Sequence, residues 1–211
     1  MAKEGFPFVA GALALAVVAW LAAESISWLR FGGALFALLA AFMVFFFRDP
    51  RREAPQEEGA IVSAADGKVV AIEEEEEEDY IGKTATRISV FLSVLNVHVN
   101  RIPFAGEIDF VQHRLGHHRV AFAEEASCTN EQSVIGIRSS AGKIVVKQIV
   151  GILARRIACY LEPGQRVKLG ERFGLIRFGS RVDLILPKTA EIRVSVGDRV
   201  RAGETVMGVL S

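Results

Sequence analysis

Gly164-Gln165-Arg166-Val167-Lys168-Leu169-Gly170-Glu171 returns further on as Gly197-Asp198-Arg199-Val200-Arg201-Ala202-Gly203-Glu204. The shared G-x-R-V-x-x-G-E pattern reads as two tight turns bracketing a short strand. Glycine supplies the turn backbone, and the polar-apolar alternation between the glycines suits a half-buried strand. Each copy runs on into a short apolar stretch, so the C-terminal part of the chain is a compact β scaffold built on an internal repeat.

Barrel-sandwich domains of the lipoyl or biotinyl type are built this way. The expected fold class is therefore a mainly β soluble domain with barrel-sandwich features. A carrier domain of that type would present an attachment lysine at a hairpin tip, after a methionine, and neither copy offers one. The repeat speaks for fold and carries no chemistry.

Between the copies lies Arg177-Phe178-Gly179-Ser180-Arg181-Val182-Asp183-Leu184-Ile185-Leu186-Pro187. Gly179-Ser180 sits between two strand-like runs, Phe173 to Ile176 and Val182 to Leu186. Glycine allows strained dihedrals and close approach to its carbonyl, and Ser180 places a hydroxyl beside that carbonyl. In the right geometry the hydroxyl can convert the peptide bond to an ester. Gly-Ser is equally an ordinary turn dipeptide, and the pair alone does not decide between the two.

Upstream, from Glu57, short β-like runs alternate with Gly-, Asp- and Pro-containing turns. Ala60 to Ser63 and Lys68 to Ile72 flank Ala65-Asp66-Gly67, which predicts a hairpin closed by a D-G turn. The acidic run Glu73 to Asp79 predicts a solvated turn or strand end and gives no sign of a metal site. Ile88 to Leu95, Val134 to Ile137 and Ile144 to Gln148 predict strands, and Gln148 to Leu161 is ambiguous between helix and strand.

The N-terminus differs in kind. Phe6 to Ala23 and Phe31 to Phe47 carry no charge and are each about long enough to cross hydrocarbon, predicting a two-helix membrane hairpin over residues 1–50 and a catalytic β-rich domain over 51–211. Lys3, Arg48, Arg51 and Arg52 flank the runs, while the connecting loop holds only Arg30 beside Glu24. This bias places both termini, and with them the β domain, on the cytoplasmic side of the cell membrane. A cleaved signal peptide is the rival reading, opposed by the second apolar run that follows at once.

The chain has 25 basic and 25 acidic residues among 211. That balance suggests no nucleic-acid partner, which would need a concentrated basic face. Cys128 and Cys159 have no metal-ligand spacing and read as buried reduced thiols. Four places could bear chemistry: Asp66 in its turn, His98 in an alternating strand, His117-His118 in a polar loop, and Ser180. Each has an ordinary structural reading too, as turn residue, core histidine or solvated loop. No G-x-S-x-G elbow, H-E-x-x-H or phosphate-binding glycine loop is present.

Taken together, Phe46-Phe47-Arg48-Asp49-Pro50, Ala65-Asp66-Gly67, Asn96-Val97-His98-Val99-Asn100-Arg101-Ile102-Pro103, Asn130-Glu131 and Phe178-Gly179-Ser180 occur in an order and spacing that resemble the phosphatidylserine decarboxylases, in their short membrane-anchored prokaryotic form. The resemblance covers almost the whole chain. It implies a proenzyme in which Ser180 attacks the Gly179 carbonyl and the ester is resolved by β-elimination. That leaves a β chain of residues 1–179 and an α chain of residues 180–211, headed by a pyruvoyl cofactor made from Ser180, the two remaining associated as a heterodimer. A higher oligomer is compatible with it. The pyruvoyl ketone condenses with the substrate's amine and serves as electron sink for loss of CO2, much as pyridoxal phosphate would. Phosphatidylserine in the membrane is the implied substrate and phosphatidylethanolamine the product.

By the same resemblance Asp66 orients the base during self-cleavage and His98 serves decarboxylation or proton transfer. Larger bacterial relatives carry a second histidine three residues on, thought to activate the serine; here that position is Arg101. The base is then His98 itself, or His117 or His118, or activation is arranged differently. Arg101 becomes a candidate phosphate contact, since a guanidinium can meet a phosphate with two parallel bonds. Alternatives are the same chemistry on archaetidylserine, a non-enzymatic membrane-anchored barrel-sandwich module, and a membrane-tethered serine hydrolase that keeps Ser180 intact.

Overall fold

The computed structural model describes residues 1–77, 79–116, 130–151, 157–177 and 179–210. The chain divides into two compact units, Met1–Pro50 and Arg51–Ser211.

In the first unit, two helices follow a single 3-10 turn: α1 (Phe6–Ala22) and α2 (Leu29–Phe46). With the turn, the first apolar segment runs Lys3–Ala22, and both segments have a mean hydropathy of 2.1, so by length and composition each can cross a membrane. Their outward residues are apolar and exposed, Leu21 at 67%, Leu38 at 68% and Phe31 at 80%, as a helix in contact with lipid requires. Small side chains line the seam, with Ala12, Ala16, Gly33 and Ala40 buried. A Cβ on Gly33 would come within 1.7 Å of Trp20 Cδ1, so the close approach depends on glycine there. The helix ends before Pro50, as expected from its ring.

The second unit is all β among the described residues. Its strands are β1 (Ala60–Val62), β2 (Gly67–Glu77), β3 (Lys83–Leu92), β4 (Val99–Arg101), β5 (Gly106–Arg114), β6 (Gln132–Arg138), β7 (Lys143–Ile149), β8 (Ile157–Cys159), β9 (Arg166–Val167), β10 (Arg172–Ile176), β11 (Ser180–Pro187), β12 (Glu191–Ile192), β13 (Arg199–Val200) and β14 (Val206–Val209). Eight of them form one sheet in the order β13-β2-β3-β11-β7-β6-β5-β9, and two three-stranded sheets, β1-β14-β12 and β4-β10-β8, complete the domain. The large sheet curls into a half-barrel. Its inner face supplies Val69, Ile88, Val90, Leu92, Ile135, Ile144, Val146, Val182 and Leu184 to a single core.

The repeat explains the curl. Its two strands, β9 and β13, form the opposite edges of the eight-stranded sheet, and the copies make equivalent backbone bonds. Gly164 N–H donates to Ile108 O at 2.7 Å and Gly197 N–H to Val69 O at 2.8 Å; Gly170 N–H donates to Ile102 O at 2.8 Å and Gly203 N–H to Ser63 O at 2.9 Å. All four glycines have positive φ, between 75° and 105°, where a side chain is strained. The two edges converge so closely that a Cβ on Gly203 would lie 3.5 Å from Gly170 Cα. The predicted barrel-sandwich architecture is thus realised as two related halves meeting at their second glycines.

Two local expectations change and one open reading is settled. Asp66-Gly67 closes no hairpin: β1 pairs with β14 and β2 with β3 and β13, so residues 63–66 cross between sheets. Of the two readings of the acidic run, strand end holds: through Glu77 it forms the far half of β2. It faces β3, where Arg87 pairs with Glu73 and, at 2.7 Å, with Glu75, and Thr84 donates to Glu76 at 2.7 Å. Basic and hydroxyl partners across the ladder offset the poor strand propensity of glutamate. Cys159 is free but only half-buried, and burial still pushes its thiol above the ordinary range; Cys128 lies outside the described residues.

Candidate active site

Gly179 and Ser180 stand where the chain leaves β10, in one sheet, and enters β11, in another. Gly179 has φ +60°, a conformation that costs an L-residue about 1–2 kcal/mol. A Cβ there would meet nothing within 4 Å, so glycine is needed for its backbone freedom and not for space. Ser180 opens the central strand β11, opposite Leu92 of β3. It is fully buried, and its Oγ has no hydrogen-bond partner among the described residues.

The strand that follows is held hard. It pairs with β3 on one side and β7 on the other. The next side chain, Arg181, is buried and grips Asp183 with two bonds, Nε to Oδ1 at 2.6 Å and Nη2 to Oδ2 at 2.9 Å. A buried ion pair survives desolvation only with such geometry, and this one anchors the residue next to Ser180 on its own strand.

β4 is the meeting place of the other sequence motifs. Its backbone joins β10, with Leu175 opposite Val99 and Gly174 opposite Asn100, and Ile176 N–H donates to His98 O at 3.3 Å. His98 and the strand β4 that follows it therefore run beside the segment leading into Gly179-Ser180. On its other side Arg101 N–H donates to Ala64 O at 3.0 Å, and Asn100 Nδ2 reaches the same carbonyl at 3.4 Å. The Ala65-Asp66-Gly67 turn is thus docked on β4 too.

His98 is fully buried, with Nδ1 2.9 Å from Asn96 O. A carbonyl can only accept, so Nδ1 carries the proton and the neutral ring keeps its lone pair on Nε2, the form a general base needs. Asp66 is 8% exposed. Its carboxylate takes two bonds from Arg52 Nη2, at 3.1 and 2.8 Å, and one from Ala202 N–H at 2.8 Å; Arg52 Nη1 goes to Glu204 at 2.9 Å. Arg101 donates Nη1 to Gly170 O at 3.1 Å. His117 and His118 lie outside the described residues, as does Phe178.

Two participants were not singled out in the sequence. Gln148, fully buried, donates Nε2 to Asn100 Oδ1 at 2.8 Å and lies 3.0 Å from where a Cβ on Gly174 would stand. No signal in its strand sets it apart from a surface residue. Arg52 read only as a charge flanking the membrane span; in the fold it is the cation that holds Asp66. Arg52→Met should strand a carboxylate with 12% side-chain exposure and destabilise the protein by about 3 kcal/mol. Chemical unfolding in detergent measures this, and adding Asp66→Asn should recover most of the loss. Among the described residues no group of three or more His, Cys, Asp or Glu side chains is arranged to hold a metal.

Fold and site together are a buried polar centre on a curled-sheet scaffold. A family model described as phosphatidylserine decarboxylase matches residues 39–208. The chain is 44% identical over 209 residues to a phosphatidylserine decarboxylase proenzyme of Desulfotalea psychrophila, covering 99% of this chain and 95% of that protein. It is 42% identical over 211 residues to the one of Geobacter metallireducens, covering 100% and 96%. The chain belongs to the phosphatidylserine decarboxylase family.

Proposed function

We propose that this protein is a self-processing decarboxylase that converts phosphatidylserine to phosphatidylethanolamine and CO2 at the cytoplasmic face of a cell membrane. The observation that carries the reading is the Gly179-Ser180 junction, a glycine at φ +60° followed by a buried hydroxyl with no hydrogen-bond partner among the described residues. Leaving a hydroxyl so costs about 1–3 kcal/mol, a penalty that calls for a reason; here the reason is chemistry.

In maturation, Ser180 Oγ attacks the carbonyl carbon of Gly179. The new C–O bond replaces the peptide C–N bond, and the hydroxyl proton passes to the released nitrogen. Removal of the Cα proton of residue 180 then breaks its Cβ–O bond, freeing the Gly179 carboxylate and leaving dehydroalanine. Tautomerisation and addition of water release ammonia and leave a pyruvoyl group. The residues fit that group because its atoms are those of Ser180, already buried at the head of a clamped strand. It supplies an electron sink for loss of CO2 that no ordinary side chain provides.

The remaining roles fall to side chains around β4. His98, its Nδ1–H directed at Asn96 O, offers Nε2 for proton transfer. Asp66 is the acidic member of the set, oriented by its two bonds from Arg52. Arg101, in the position of the family's second histidine, is a candidate phosphate contact. The two chains stay together because β11 pairs with β3 and β7, β13 with β2 and β14 with β1, so every one of those ladders spans the cut. The basic residues Lys3, Arg48, Arg51 and Arg52 support the cytoplasmic orientation.

Intact-mass measurement of the purified protein tests the reading. Two fragments are expected, residues 1–179 and 180–211, the smaller blocked at its N-terminus and modified by borohydride in the presence of an amine. A single uncut chain in an active preparation overturns it.

A further inference from the structure

A cleft of about 650 Å³ opens at the rim of the half-barrel, lined in part by Lys68, Phe91, Leu95, Asn96, Arg199 and Arg201. Its position relative to the candidate site follows from the register. Phe91 is opposite Lys68 on one side and Arg181 on the other, and Leu92 is opposite Ser180. Side chains alternate along a strand, so Lys68, Phe91 and Arg199 stand on the face of the sheet opposite Ser180, and the cleft and the reacting residue approach each other only around the end of β3 at Leu92. Asn96, at its edge, is the residue whose carbonyl faces His98 Nδ1.

The charges in this cleft are arranged against folding. Arg199 lies directly across the ladder from Lys68, and like charges in that relation destabilise a sheet. Neither cation is ion-paired among the described residues, although the protein as a whole has as many acidic as basic residues. Arg201 adds a third cation, 73% exposed and only 3.8 Å from Glu204 at its nearest. Asp66, the acid that borders the cleft, is already bonded to Arg52. Beside the cations an apolar side chain is held in water: Leu95 is 67% exposed. Two facing cations with an apolar border suit an amphiphile that carries a phosphodiester.

We propose that Lys68 and Arg199, with Arg201 at the mouth, form an anion subsite that takes the phosphodiester of the lipid substrate, with Leu95 against its glycerol and acyl portion. The subsite rests on the decarboxylase reading and extends it. The head group's amine and carboxylate then turn around the end of β3, at Leu92, to reach residue 180, and the phosphate relieves the Lys68–Arg199 repulsion.

The test compares the full chain with its Lys68→Gln/Arg199→Gln variant in neutral detergent micelles. Both altered residues are at the surface, and the variant should mature into the same two fragments. Its KM for phosphatidylserine should rise at least about ten-fold with kcat changed less than about two-fold, the pattern of lost ground-state binding. Glycerol 3-phosphate should inhibit the unaltered protein and raise its unfolding temperature, and should do neither in the variant. An unchanged KM in a matured, active variant overturns the subsite and leaves the decarboxylase reading standing. So does a KM effect that appears only in vesicles containing phosphatidylglycerol, which would assign the cations to general attraction by an anionic membrane. A normal protein that is never cut and releases no CO2 sinks the decarboxylase reading, and the subsite with it.

Discussion

Ser180→Ala should give a single uncut polypeptide of 211 residues with CO2 release reduced on the order of 10⁴-fold or more, the scale of losing a nucleophile. The variant should fold at least as well as the parent. The hydroxyl it removes is buried without a hydrogen-bond partner among the described residues, so its loss relieves a penalty and breaks no bond. The ladder from Ser180 to Pro187 along β3 and the Arg181–Asp183 clamp are untouched. Denaturing gels and intact mass read the cleavage, and thermal unfolding in detergent reads the stability. An uncut chain with unaltered unfolding isolates the chemistry at residue 180. A chain still cut after residue 179 excludes Ser180 as the nucleophile, and an uncut chain that keeps full activity would point to a serine-independent reaction.

His98→Ala divides the labour. The ring is fully buried and its Nδ1–H is directed at Asn96 O, which leaves Nε2 as the nitrogen for proton transfer. Loss of a general acid or base slows a reaction about 10²–10⁴-fold, and the question is which reaction. An uncut chain makes His98 the base that activates Ser180, a role left open by arginine at position 101. A chain that is cut into the normal fragments and still fails to decarboxylate confines His98 to the second step and moves maturation to another group. Time courses of fragment appearance, followed separately from CO2 release, distinguish the two. Full rates of both would remove His98 from the site.

Much of the architecture was legible because its signals are local. The paired G-x-R-V-x-x-G-E segments announced two strands flanked by turns, and both strands formed with all four glycines at positive φ. The apolar runs before Pro50 announced two helices, and two formed. The misreadings were of longer range. Asp66-Gly67 has hairpin chemistry, yet the strands on either side found other partners, 144 to 149 residues away for β1 and 6 to 23 residues away, in β3, for β2. The glutamates from Glu73 read as either a solvated turn or a strand end, and only Arg87 and Thr84 across the ladder decide for the strand.

The sequence by itself determined the two-part organisation, the β scaffold with its repeat, and the Gly179-Ser180 junction as the place to look. Helix length, turn glycines and apolar alternation are properties of neighbouring residues, and they survive without any knowledge of contacts. Only the tertiary structure decided that Arg52 holds Asp66, that Gln148 backs Asn100, that Ser180 is sealed from solvent, and that Lys68 faces Arg199. Those pairings join residues 14 to 131 positions apart, and what sets them is strand register and the closure of the sheet at Gly170 and Gly203. Register moves every side chain to its face and its partner, so the chemistry of the site waits on it.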